Sequence, residues 1–93
     1  MAQVARHVRV TGCVQGVFYR AWTREQAQAL GVHGWVRNCP DGSVEAHAEG
    51  DKQAVEQLVE RMRAGPAGAS VSELTAENVE PEDFHNFSVV HAL

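Results

Sequence analysis

The stretch Val10-Thr-Gly-Cys-Val-Gln-Gly-Val-Phe-Tyr-Arg20 holds the residues best equipped to do chemistry. An apolar run of β type ends in a loop with two glycines, Gly12 and Gly16, and Arg20 then opens a helix-like segment. Glycine lets backbone amides turn inward, a helix start offers unpaired N–H groups, and arginine adds a planar fork of charged donors. Together they describe a pocket for a small, doubly charged oxyanion such as phosphate. Positive charge at a helix start also opposes the helix dipole, so a nearby anion would account for Arg20.

Other chemistries find little support. A net charge of −4 and arginines spread along the chain argue against a nucleic-acid binder, which would show a basic face. Cys13 and Cys39 are too few for a disulfide framework and fit no zinc spacing. His7, His33, His47, His85 and His91 are scattered, so no metal site is expected, and all five read as surface or strand-face residues. No apolar run approaches the roughly 20 residues that span a bilayer, and the N-terminal residues have no signal-like apolar core. The expectation is a cytoplasmic protein without membrane or nucleic-acid partners.

Six main segments must position the loop. At 93 residues and 44% hydrophobic, the chain suits one domain, residues 1–93, with a single core. Val4, Val8 and Val10 alternate with Ala5, His7 and Arg9, which predicts a strand over 3–13. Trp22, Ala27, Ala29 and Leu30 predict a helix over 21–30 that stops at Gly31. Residues 33–39 and 43–49 flank Pro40-Asp41-Gly42 and read as a hairpin. Val55, Leu58, Val59 and Met62 recur at helical spacing, with Asp51 as cap and Gly65-Pro66 as stop. Residues 70–79 and 86–91 read as strands, and Trp22 and Trp35 as core, Trp35 with the alternative of a pocket wall.

That order predicts an α+β, ferredoxin-like split β-α-β sandwich: βαββαβ plus a short C-terminal strand, with two helices on one face of a mixed sheet. In a split unit the third strand lies antiparallel between the first two, which run parallel. The C-terminal ends of strands one and two then emerge at one edge, roughly 10 Å apart. One end leads to the Gly16–Arg20 loop and the other carries Arg37, Asn38 and Cys39. A phosphate and an attacking water would span that gap.

Over essentially its whole length the chain resembles the acylphosphatase family. The first signature is similar to Val10–Arg20, the second to Gly34-Trp-Val-Arg-Asn38, followed here by Cys39-Pro-Asp-Gly-Ser43. The resemblance implies a ferredoxin-like fold and metal-independent hydrolysis of carboxyl–phosphate bonds, with no cofactor. It implies that Arg20 binds phosphate within the loop Gln15, Gly16, Val17, Phe18, Tyr19, Arg20, and that Asn38 orients the water. A small acyl phosphate is the implied partner and a monomer the implied state. Tyr19 stands where the family usually shows Phe, and Cys39 where Thr is common. The Tyr19 hydroxyl is expected near the loop.

The residues give a chemical reason for that substrate. Neither motif holds a carboxylate or histidine, so a strong general acid is missing, and Asn38 aligns a water without accepting its proton. A phosphate monoester expels an alkoxide that normally wants protonation. An acyl phosphate expels a carboxylate, stable at neutral pH. Positioning and charge stabilisation then suffice.

Plainer readings stand beside these. Arg20 also reads as a surface arginine, Asn38 as a turn residue, and Gly12 and Gly16 as bulge or turn glycines. Gln15 and Thr11 are candidate supporting groups, and His33 and Arg37 lie near the site without a role. A cysteine-dependent phosphatase would use Cys13, but six residues separate it from Arg20 where the tyrosine-phosphatase loop has five. A phosphate-binding regulatory module without turnover shares the cradle and is separated by Asn38, which anion binding alone does not need.

Overall fold

Alternation along the first strand decides where the layers lie. In β1 (Gln3–Cys13), Val8 and Val10 are fully buried, while His7 and Arg9 project from the opposite face. The structure, a computed structural model, describes residues 3–91. After β1 come α1 (Tyr19–Leu30), β2 (His33–Asn38), β3 (Val44–Asp51), α2 (Lys52–Ala64), β4 (Ser70–Val79) and β5 (Phe87–Val90).

The sheet runs β4-β1-β3-β2-β5. As the split unit requires, β3 lies antiparallel between β1 and β2, which therefore run parallel, and β5 joins β2 in parallel. One row of small residues crosses all five strands: Ala76, Val8, Ala46, Val36 and Val89. Ala27 of α1 and Val55, Leu58 and Met62 of α2 pack with Val8, Ala46 and Val36, so both helices cover one face.

Local chemistry sets the helix ends. The Gly31 N–H donates to Gln28 O and the Val32 N–H to Ala27 O, a Schellman closure with Gly31 at φ 73°. The Asp51 carboxylate accepts from the Gln53 N–H at 3.2 Å and caps α2. α1 begins at Tyr19, two residues before the helical pattern of its side chains, because Phe18 supplies the turn into it. A register shift at Thr11/Gly12 marks a bulge between β1 and β4. A Cβ at Gly12 would sit 2.2 Å from the Ser70 carbonyl oxygen, so the close approach needs glycine.

The helix-free face holds two surprises for the sequence. Trp35 is not in the core: half-buried on β2, it stacks on His47 with Arg37 over its ring. Trp22, by contrast, packs partly buried against the core. His47, expected at the surface or on a strand face, is a strand-face residue, but a buried one, its ring bonded to the buried Glu49. Both are covered because β4 and β5 lie at opposite edges, so residues 80–86 must cross the end of the sheet. The Glu49 carboxylate accepts from the Glu82 and Phe84 N–H groups and holds that strap down.

Candidate functional site

The loop between β1 and α1 alternates the sign of its backbone φ, with Gly16 at 76° and Phe18 at 60°, and no positive value at Val17 or Tyr19. Alternation of this kind gathers successive N–H groups into a concave nest that attracts anions. A positive φ at a bulky residue costs about 1–3 kcal/mol, so the rest of the structure must enforce it at Phe18. Phe18 serves as the N-cap of α1 but provides no side-chain acceptor, and its ring is 85% exposed. The first N–H groups of α1 consequently meet no side-chain cap.

Arg20 is the second residue of α1, and Asn38 is the last of β2, paired with Val44. Both line one hollow of 430 Å³, together with Gly16, Phe18, Tyr19 and Arg24. Val89 and His91, from β5 and just beyond it, close another side. Arg20 makes no side-chain bond to the described residues. The Asn38 amide oxygen is shut off from solvent and meets no donor.

The turn beside Asn38 is stiff. The Asp41 carboxylate accepts from the Ser43 hydroxyl at 2.6 Å and the Ser43 N–H at 3.0 Å. Those bonds, with Arg9 adding a charge partner, bring its pKa down to about 2. Partial burial would raise the pKa of Glu45, but bonds from His7 and Arg37 outweigh it and hold the carboxyl below its ordinary value. Each acid therefore stays ionised and paired.

A family model described as Acylphosphatase matches residues 6–89. The chain belongs to the acylphosphatase family. It is 51% identical over 83 residues to an acylphosphatase of Haloquadratum walsbyi, covering 89% of each chain. A Mesorhizobium japonicum acylphosphatase is 54% identical over 84 residues, 86% of this chain and 89% of that one. Among solved structures, an acylphosphatase from Coxiella burnetii superposes with a TM-score of 0.91 at 39% identity, covering 95% of this chain and 93% of the other. Relatives so similar over most of the chain make it a hydrolase by class.

Within this acylphosphatase domain the expected loop divides in two. Gly16, Phe18, Tyr19 and Arg20 line the hollow, while Gln15 and Val17 do not. Val17 packs against the core. The Gln15 amide nitrogen instead donates to the carbonyls of Cys39 and Ser43, at 2.9 and 2.8 Å, and fastens the loop to the hairpin. The Tyr19 hydroxyl is not beside the loop: it points into the core and donates to the Met62 carbonyl at 2.6 Å. Burial raises its pKa well above the phenol's ordinary value, so it stays protonated.

Other candidates lie elsewhere. The Thr11 hydroxyl donates to Glu73 O, His33 meets Phe84 O at the far end of the sheet, and Arg37 is paired with Glu45. Cys13 and Cys39 are free thiols, and neither lines the hollow. Sequence reasoning missed Arg24, Val89 and His91 as lining residues. Arg24 had a legible signal, because four residues after Arg20 puts it on the same helix face. No three His, Cys, Asp or Glu side chains converge on a possible metal position among the described residues, and no helix there is long and apolar enough to cross a membrane.

Proposed function

We propose that this domain hydrolyses acyl phosphates in the hollow between α1 and β2, with Arg20 and the loop N–H groups holding the phosphate and Asn38 holding the water. The observation that carries this reading is that Arg20 and Asn38, from separate elements, line one hollow. The loop's alternating φ supplies a cradle of N–H donors around the same space. A half-turn of the Asn38 amide would exchange its two ends and aim the oxygen at a water, giving that acceptor the donor it lacks.

The reaction balances without an acid or metal. Water oxygen bonds to phosphorus in line with the departing carboxylate, the P–O bond to the acyl group breaks, and its electron pair leaves with the carboxylate. A phosphate oxygen takes the water's proton. Negative charge builds on the departing carboxylate while the phosphoryl oxygens stay anionic, and fixed donors hold that charge without reorganising. The domain then needs no cofactor, no metal and no nucleic acid. It works as a cytoplasmic monomer on a small substrate.

Turnover of benzoyl phosphate beside p-nitrophenyl phosphate, with a chelator present, tests the reading. Hydrolysis of the first alone is expected. Phosphate binding without turnover would make the domain a sensor, and loss of turnover in Cys13→Ser would point to a thiol route.

A further inference from the structure

Seven arginines are spread over the chain, and five touch an acceptor within the described residues. Arg6 reaches Glu56, Arg9 reaches Asp41 and Arg37 reaches Glu45. Arg61 donates to the Gln26 amide oxygen and Arg63 to Glu60. The two without such a partner are Arg20 and Arg24, and both line the same hollow.

Four residues apart on α1, these two stand one above the other, where like charges repel. The first turn of α1 holds no acid to offset them. A single bound phosphate explains Arg20 and leaves Arg24 without a reason. The hollow, at 430 Å³, is also larger than one phosphate needs. Five heavy atoms fill about 150 Å³ at a liquid water's volume apiece.

Building on the hydrolase reading above, we propose that Arg24 recognises a second anionic group on the acyl part of the substrate. The favoured substrates are thus acyl phosphates whose acyl chain ends in a carboxylate or a phosphate. Four residues of helix rise about 6 Å, comparable with the extended reach from a phosphoryl group to the far carboxylate of a four-carbon diacid. Ala21 and Val89 line the space with short apolar side chains suited to the methylene link. His91 offers a further ring N–H on the same hollow.

The test uses the intact chain with succinyl phosphate, butyryl phosphate and 1,3-bisphosphoglycerate. The first two match in chain length and differ in terminal charge; the third ends in a phosphate. The readout is the ratio of kcat/KM, charged substrate over butyryl phosphate, for wild type, Arg24→Gln and Arg24→Glu. In wild type the ratio should exceed one, then fall about tenfold in Arg24→Gln and further in Arg24→Glu, mostly through KM. A fall with succinyl phosphate alone assigns the position to carboxylates, and a fall with the bisphosphate alone assigns it to phosphates. Ratios that stay within about twofold of wild type for both charged substrates overturn the proposal, even if all three substrates lose activity together. If wild type hydrolyses none of the three substrates, the hydrolase reading falls, and this proposal with it; hydrolysis of the charged substrates without butyryl phosphate supports both.

Discussion

The Gln15 side-chain nitrogen donates to the Ser43 carbonyl at 2.8 Å, and with its second bond to Cys39 it joins the β1–α1 loop to the hairpin behind Asn38. One amide thereby fixes the spacing between two halves of a site built on different elements. Misplacement of reacting groups by an ångström costs up to about 100-fold in rate. Gln15→Ala should lower kcat/KM about tenfold or more without touching the substrate. Gln15→Glu should do worse, because a carboxylate would face two carbonyl oxygens. Steady-state kinetics of both variants on benzoyl phosphate checks this; equal activity in all three proteins would leave the amide without a positioning role.

Arg20 and Asn38 should fail in different ways. Arg20→Ala removes the fixed charge from the cradle, so binding and turnover are lost together. Arg20→Lys keeps a charge but not the planar fork and should recover only part of the activity. Asn38→Ala should cut kcat by roughly 100-fold or more while KM moves little. Inhibition constants for inorganic phosphate separate the two, weakening in the arginine variants and holding in Asn38→Ala.

Tyr19 is a stability residue more than a chemical one. Its hydroxyl satisfies the Met62 carbonyl at 2.6 Å and pins the start of α1 to α2. Tyr19→Phe leaves that carbonyl without its donor, at a cost of about 1–2 kcal/mol. For a domain of this length each kcal/mol lowers Tm by about 4–8 °C. Thermal unfolding should show the loss, while benzoyl phosphate turnover at 25 °C stays close to wild type.

The sequence revealed the layout well where one residue type has one reason to be present. Gly31 ends α1, Asp51 caps α2, and the alternation of Val44, Ala46 and Ala48 buries one face of β3. That Arg20 and Asn38 would line one hollow was legible too, because strand order alone brings the ends of β1 and β2 to one edge. His47 was not. Alternation sends it to the side away from the helices, which reads as solvent unless a crossing strap is foreseen. The direction of the Tyr19 side chain was hidden for a similar reason, since its partner Met62 lies on another helix. Trp35 was expected in the core or at a pocket wall because its ring is large and apolar, whereas here it stays half-buried beside His47 and Arg37.

The strap makes stability depend on acid. Burial would raise the Glu49 pKa, but bonds from His47 and from the Glu82 and Phe84 N–H groups outweigh it and lower the value from 4.5. A carboxyl lowered on folding contributes stability that is fully present above its unfolded pKa and is lost as pH falls through the folded one. Glu49→Gln should therefore be less stable than wild type by about 1–3 kcal/mol at neutral pH. The gap should close as acid protonates Glu49 in the wild-type protein. Urea unfolding of both proteins at pH 7 and pH 3 measures it, and a gap independent of pH would dissociate the strap from the charge.

Sheet order carries a kinetic consequence. Only β2 and β3 are neighbours both along the chain and across the sheet. Val8 sits between Ala46 and Ala76, and Val36 meets Val89, so every other pairing joins remote segments. Long loops must close before those pairings repay the entropy lost, and rates fall accordingly. Refolding should run slower than in a helical bundle of equal length, with the 33–51 hairpin as the one piece of sheet a nascent polypeptide assembles by itself.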